Sequence, residues 1–462
     1  MSVPFGPCAL TLSDITTQLR STFAQFTDPR RGKNIRYTLV DAGLSAFSVF
    51  FMQSPSFLDY QRTLEQTQGQ SNAQTLFGIH PIPTDNQIRH LLDATDPVQV
   101  RPMFSYLFNG LNQAGVIDSY RSVQQTILIA VDGVEYFSSS ALHCPHCSTR
   151  TDAHGHVTYC HTALTPVMVK PGVDQVIPLA PEFVRPQDGT EKQDCELNAA
   201  KRWLATCGSA YRCLGVTLLG DDLYAHEPFC QAVLETGMNF ILVCKPTSHA
   251  LTYEWLAFLE RCGAVRTVVR QRWTGRRHEI DTYRYAETLP LRDGDQALMV
   301  NWCELTTADK SGKVLYHNTF VTNLAMNDHQ VVEVVTAGRC RWKIENENNN
   351  TLKTKGYHFE HHDGHGQQPL ASLLASLIIL AFLVHTVLEW MDDRYRLLRQ
   401  KLPSRQRLFN DLRALTSYLC FASWDDLITF MLRSFEPGRV VPVRLEPPPI
   451  TPKPDPFQYA PS

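Results

Sequence analysis

The chain has 462 residues, 43% of them apolar and 19% charged, with a formal net charge of -3. That length exceeds one ordinary core and predicts about two or three domains, while the composition excludes a disordered chain. The charge excludes a uniformly basic coat, so any contact with nucleic acid has to use local patches.

Thirteen cysteines, an odd number without a regular framework, fit a reducing cytoplasm better than a disulfide scaffold. The start, "MSVPFGPCALTLSDITTQL", lacks the basic segment and apolar core of a secretory signal. From "SDITTQLRSTFAQF" through "SYLFNGLNQAG" apolar residues recur three and four apart, which predicts a helical N-terminal domain over 1–120. Its basic cluster, Arg30 to Arg36, reads equally as a DNA-phosphate contact or a solvated loop.

The period then changes. "TILIAVDGVEYF" is a β-branched run predicting a buried strand that ends at Asp132, and "GHVTYCHTALTPVMVK" and "DQVIPLAPEFV" follow as strands. The helix "EKQDCELNAAKRWLATC", the strand "CLGVTLLGDDLYA", the helix "HEPFCQAVLETG" and the strand "NFILVCKP" complete a mixed sheet covered by helices over 121–249. Residues 250–335 alternate and turn like a small antiparallel sheet inserted before the segment "GRCRWKIENENNN". The run "PLASLLASLIILAFLVHTVLEWM" is short for a membrane span and predicts a buried helix within 336–392. A basic helical region over 393–436 and a loose proline-rich tail over 437–462 close the chain.

Asp132 and Asp221 both follow buried hydrophobic runs, where an acid is costly unless it is paired or binds a cation. Side chains at strand ends project into the crevice where chemistry collects. Carboxylates gathered there suit Mg²⁺ or Mn²⁺ and phosphodiester chemistry, in which paired ions activate a nucleophile and stabilise the leaving oxygen. The competing reading makes these aspartates helix caps or turn residues.

"ILIAVDGVEYFSS", "VTLLGDDLYA", and "CRWKIENENNNTLK" with "YHFEHHDGHGQQPLASLLASL" together resemble the DDE transposases of the bacterial insertion-sequence four family, over about 125–390. The resemblance implies an α/β, RNase H-like mixed sheet with flanking helices and a β insertion between the second aspartate and the glutamate. It implies Asp132, Asp221 and Glu345 as the metal-binding catalytic triad, with Asp221 preferred to Asp222 because it stands three residues before Tyr224. Arg341, four before Glu345, fits the family signature as a contact to the DNA backbone. Gly338 occupies the signature's tyrosine position, and Lys353 stands one residue late, with Leu352 at the nominal lysine. Lys343 falls on another helical face and reads as solvated.

The resemblance further implies cleavage at terminal inverted repeats of double-stranded DNA and strand transfer to target DNA, by a homodimer in a synaptic complex, with no membrane partner. The alternative is a catalytically degenerate or repurposed DNA-binding protein with the same fold. In the insertion, Arg270 and Arg272 around Trp273 suit a DNA end with a stacked base, and Trp302 is the other aromatic candidate. Cys144 and Cys147, with Cys160 and His161 on the next strand, offer a four-ligand zinc set across a β-hairpin or simply packed, reduced thiols. Of His358, His361, His362 and His365, the pair His361 and His365 could share a helical face as metal ligands, while Gly364 and Gly366 predict a turn into the apolar helix and a structural or phosphate-side role.

Overall fold

A computed structural model describes residues 10–30, 35–64, 71–189, 192–361, 363–402 and 404–435. Of the basic cluster, residues 31–34 lie outside the described residues, as does the proline-rich tail. Arg30 is engaged by Asp28 at 2.7 Å, and Arg36 stacks over the Tyr37 ring.

The buried β-branched runs build the centre. β1 (Ile127–Ala130) is buried on both faces. It pairs in parallel with β8 (Val216–Gly220), which pairs in parallel with β9 (Asn239–Val243). On its other side β1 meets β5 (Val167–Lys170) and then β6 (Val173–Pro178), both antiparallel. The resulting order, β6-β5-β1-β8-β9, with two antiparallel junctions followed by two parallel ones, is that of an RNase H-like core.

"TILIAVDGVEYF" is not one strand. It breaks at Val131–Asp132, and β2 (Gly133–Ser139) leaves the main sheet to pair with β4 (Val157–Leu164). β3 (Ser148–Thr151) and the short β7 (Glu182–Phe183) complete this second sheet. The chain returns to the main sheet at Thr165–Pro166, where proline cannot donate to a continuing ladder. Departure and return lie side by side, the Thr165 amide donating to the Asp132 carbonyl at 3.1 Å.

The insertion is a meander of β10 (Arg266–Trp273), β11 (His278–Pro290), β12 (Met299–Asp309) and β13 (Val314–Thr322). It is not a separate sheet: β13 pairs antiparallel with β9, Val243 opposite Phe320, so one sheet runs across nine strands. β11 buries alternate residues, Tyr283 and Tyr285 among them, as expected of a strand with one covered face.

Helices enclose the β6 side. Leu370–Met391 is long and apolar enough to cross a membrane, yet every residue of its apolar window is buried within the protein. It packs against the almost wholly buried helix Leu39–Phe51, whose entry is fixed by a Thr38–Asp41 capping box. N- and C-terminal helices share that core. Asn72 Nδ2 donates to the carbonyls of Thr416 and Leu419 at 2.9 and 2.8 Å, and Trp424 Nε1 donates to that of Leu76 at 2.8 Å.

Candidate active site

Register brings the two aspartates together. Ala130 on β1 stands opposite Leu219 on the parallel neighbour β8, so Asp132 and Asp221, each two residues further on, leave adjacent strands at the same level. Hydrogen-bonded neighbouring strands lie about 4.8 Å apart. Asp132 Oδ1 accepts from the Gly133 amide at 3.0 Å, and Asp221 Oδ1 caps the next turn by accepting from the Leu223 amide at 3.0 Å. Asp221 is therefore both a cap and a site carboxylate.

Glu345 arrives from a third element. The helix Gln330–Arg339 gives way to a π-helical turn, Ile344–Asn349, a wide turn type found frequently at functional sites. Arg341 and Glu345 lie four residues apart on one face, and Arg341 Nη2 contacts Glu345 Oε1 at 2.8 Å. Arg341 Nη1 lies 3.8 Å from Asp132 Oδ2. One guanidinium thus contacts two of the three expected carboxylates, and its charge also acts on Asp221.

The sequence reading missed a fourth carboxylate, Glu196, buried on the helix Lys192–Trp203. Its Oε1 accepts from the Gly133 amide at 3.0 Å and from the Tyr224 hydroxyl at 2.6 Å. A Cβ at Gly133 would stand 2.5 Å from Glu196 Oε2, so any larger residue there would displace the Glu196 carboxylate. Burial, then the neighbouring charge of Glu196, push the Asp132 carboxyl up to about 7, against the opposing pull of Arg341. Burial also raises Asp221, opposed by the Leu223 amide and Arg341. At Asp132 the like charges of Glu196, Asp221 and Glu345 act against the opposing pull of Arg341. Hard oxygen donors with excess negative charge are the donor set that Mg²⁺ or Mn²⁺ takes.

Asp222 has other work. It accepts from the Lys245 amide at 2.6 Å and from Ser248 Oγ at 2.5 Å, holding the segment that follows β9. Around Glu345 the departures from the family signature gain physical reasons. Gly338 is buried, and a Cβ would meet Phe320 at 2.8 Å and Ile241 at 3.0 Å, leaving no room for a tyrosine. Leu352 is fully buried, so the nominal lysine position faces the core, while Lys353 reaches Glu360 at 2.5 Å. Lys343 is not solvated. Its side chain is buried, with Nζ 5.0 Å from the ring centroid of the exposed Trp342 and 3.9 Å from Asp174.

In the insertion, Trp273 is exposed at the end of β10 and Trp302 is core. Arg270 is solvent-facing on the same strand. Arg272 departs from the expected free basic contact. It pairs with Glu279 at 2.6 Å and Asp281 at 2.7 Å on β11, which neutralises its charge within the sheet.

The cysteine–histidine set is also corrected. Cys144, Cys147 and His161 converge, but Cys160 points away, its Sγ 3.6 Å from the Ser148 carbonyl, because successive residues on β4 face opposite sides. His365 fills the fourth place, with Nε2 3.3 Å from Cys147 Sγ. His358 and His361 lie outside that set, and His362 lies outside the described residues.

No protein-family model matches the chain, and no curated protein is significantly similar to it. A cryo-EM structure of a piggyBac transposase synaptic complex with hairpin DNA aligns with 93% of this chain and 80% of that one, at 10% identity and a TM-score of 0.38. At that score the fold assignment rests on the strand order described above.

Proposed function

We propose that the chain is a DNA transposase of the DDE type, which binds the terminal inverted repeats of its element, cleaves at their boundary and joins the freed 3′-hydroxyl to target DNA. The observation that carries this reading is the convergence of Asp132, Asp221 and Glu345, from two parallel strands and a π-helical turn, near Arg341, which contacts Asp132 and Glu345 and whose charge acts on Asp221. Asp132, Asp221 and Glu345 would hold Mg²⁺ or Mn²⁺, which when bound supplies charge neutralisation at the scissile phosphate and activation of the attacking oxygen.

The chain's own residues do the positioning. Glu196 fixes the backbone at Gly133 and thereby the direction of Asp132. Arg341 holds Glu345 and faces Asp132, and on DNA binding Arg341 and Lys353 would exchange their carboxylate partners Glu345 and Glu360 for a phosphate. Arg270 and Trp273 offer a charge and an exposed ring to a DNA end, and two copies would pair the ends in a homodimeric synaptic complex in the cytoplasm.

A second reading, a repurposed DNA-binding protein that no longer cuts, draws on the closed space at Gly338, where the family's tyrosine cannot be accommodated. One experiment separates the two. A labelled fragment carrying the candidate terminal repeats is incubated with the protein and Mg²⁺ or Mn²⁺, beside the Asp132→Asn, Asp221→Asn and Glu345→Gln variants. Metal-dependent cuts at the repeat boundary, reduced by about 10²-fold or more in each variant while binding persists, support the transposase. Repeat binding by the wild type with no cutting in either metal rejects it and favours the second reading.

A further inference from the structure

We propose that Cys144, Cys147, His161 and His365 form a structural zinc site, separate from the carboxylate cluster, that ties the second sheet to the segment preceding the long buried helix.

Six ligand-to-ligand edges define a tetrahedron, and five have separations that can be compared with those zinc requires. With Zn–S near 2.3 Å and Zn–N near 2.0–2.1 Å, tetrahedral angles put sulfur atoms about 3.8 Å apart, sulfur and nitrogen about 3.5 Å, and two nitrogens about 3.3 Å. Here Cys144 Sγ and Cys147 Sγ are 3.9 Å apart. His161 Nε2 lies 3.6 Å from Cys144 Sγ and 3.4 Å from Cys147 Sγ. His365 Nε2 lies 3.3 Å from Cys147 Sγ and 3.2 Å from His161 Nε2. All four ligand atoms fall within 4.8 Å of one another. A disulfide between the cysteines would need sulfurs about 2.05 Å apart, which this spacing is not.

The surroundings are those of a metal knuckle. Cys144 and Cys147, with two residues between them, sit in a tight turn, the Cys147 amide donating to the Cys144 carbonyl at 3.1 Å and the Cys144 amide facing Cys147 Sγ at 3.4 Å. An amide aimed at sulfur favours the thiolate. His365 Nδ1 lies 3.2 Å from the Gly366 carbonyl, so that nitrogen carries the proton and Nε2 presents its lone pair, as the outer hydrogen bond of a zinc-bound imidazole does. Cys144, Cys147 and His161 are buried, and Nε2 of His161 and of His365 converge on each other and on the two sulfurs, so the four ligand atoms face one common centre. A divalent ion with two thiolates satisfies all four and leaves a neutral site. Four protein ligands leave no open coordination position, which makes the site structural and not catalytic.

The consequence follows from where the ligands come from. Two lie between β2 and β3, one is in the middle of β4, and the fourth stands 218 residues beyond Cys147 in the chain. Zinc would thus close a long loop and fix β4, whose end pairs with Gly133 beside Asp132.

The test is metal analysis of the full chain purified under reducing conditions without chelator, together with its Co²⁺-substituted spectrum. The expected result is one zinc per chain and a tetrahedral thiolate–cobalt spectrum. Cys147→Ser and His365→Ala lose the metal, whereas Cys160→Ser keeps it. His365→Cys, which restores a Cys₃His set, also keeps it and shows that loss in the alanine variant is not misfolding. Three results overturn the proposal: a chain free of zinc that takes up neither zinc nor cobalt, a metal lost with Cys160 but kept without His365, or a Cys144–Cys147 disulfide in place of metal.

Discussion

Arg341 and Glu345, one helical turn apart, are joined by a 2.8 Å ion pair whose guanidinium also faces Asp132 at 3.8 Å. Without a divalent ion, this arginine is a principal source of compensation for acids that burial has already pushed toward protonation. Arg341→Ala should therefore lower stability by about 2 kcal/mol in EDTA, mostly through Asp132, because Glu345 is half exposed. Excess Mg²⁺ should recover most of that loss by occupying the same charge position. Thermal melts of both proteins, with and without Mg²⁺, read the difference. Equal losses in the two buffers would mean that no cation binds among these acids.

Asp221 and Asp222 are adjacent but face different tasks, and substitution should separate them. Asp222→Asn removes a charged acceptor from the Lys245 amide and Ser248 hydroxyl, at a cost of about 1–2 kcal/mol, while leaving most metal-dependent cleavage intact. Asp221→Asn should do the reverse, abolishing cleavage with less effect on stability, since an asparagine oxygen still caps Leu223. Urea titrations and cleavage assays on both variants check the pair. Loss of cleavage in Asp222→Asn alone would move the second aspartate by one position.

How much of this was legible in the sequence depended on the range of the interaction. Asp132 and Asp221 stood out because each ends a run of buried β-branched residues, a local signal. The end of β1 at Asp132 was read correctly, but the residues after it were not recognised as a strand of their own, because only the long-range pairing of β2 with β4 assigns them to a second sheet. Glu196 was invisible for a related reason. It sits on an ordinary-looking amphipathic helix, and its partners Gly133 and Tyr224 are distant in the chain. His365 could be noticed in a histidine-rich segment but not matched to Cys147. Cys160 and His161 are successive residues of β4 and face opposite sides, so Cys160 turns to the Ser148 carbonyl and not to Cys147.

Gly338 is a position where a larger residue can be introduced and the outcome predicted. An added Cβ meets the Phe320 ring on β13 and Ile241 on β9, both in the core, so neither can simply rotate away. Gly338→Ala should cost about 1–3 kcal/mol by overpacking, offset only in part by alanine's better helix propensity. Gly338→Tyr should not yield a folded protein. Urea denaturation of the alanine variant is the measurement. A stability equal to the wild type's would show that the helix Gln330–Arg339 shifts freely, and would reopen the tyrosine position.

His385 gives the fold a pH dependence of known sign. It is buried in the helix Leu370–Met391, where its Nδ1 meets the Tyr357 hydroxyl and its ring packs between Phe51 and Phe409. Burial, followed by the nearby charges of Arg405 and Arg399, lowers its pKa well below 6.5. The unfolded chain therefore takes up a proton at 6.5 that the folded chain refuses, so this stabilising contribution is present above 6.5 and is lost as pH falls below it. Asp132 and Asp363 work in the opposite direction: their pKa values, raised by burial to about 7 and about 6, give stability at low pH that is lost as pH rises through those values. The net slope of the wild type mixes the two, so the informative quantity is its difference from His385→Leu. Below pH 6.5 the wild type should lose up to about 1.4 kcal/mol per pH unit relative to that variant. Denaturant titrations at pH 7.5, 6 and 5 read that difference directly, and parallel stability curves for the two proteins would show that His385 is protonated in the fold.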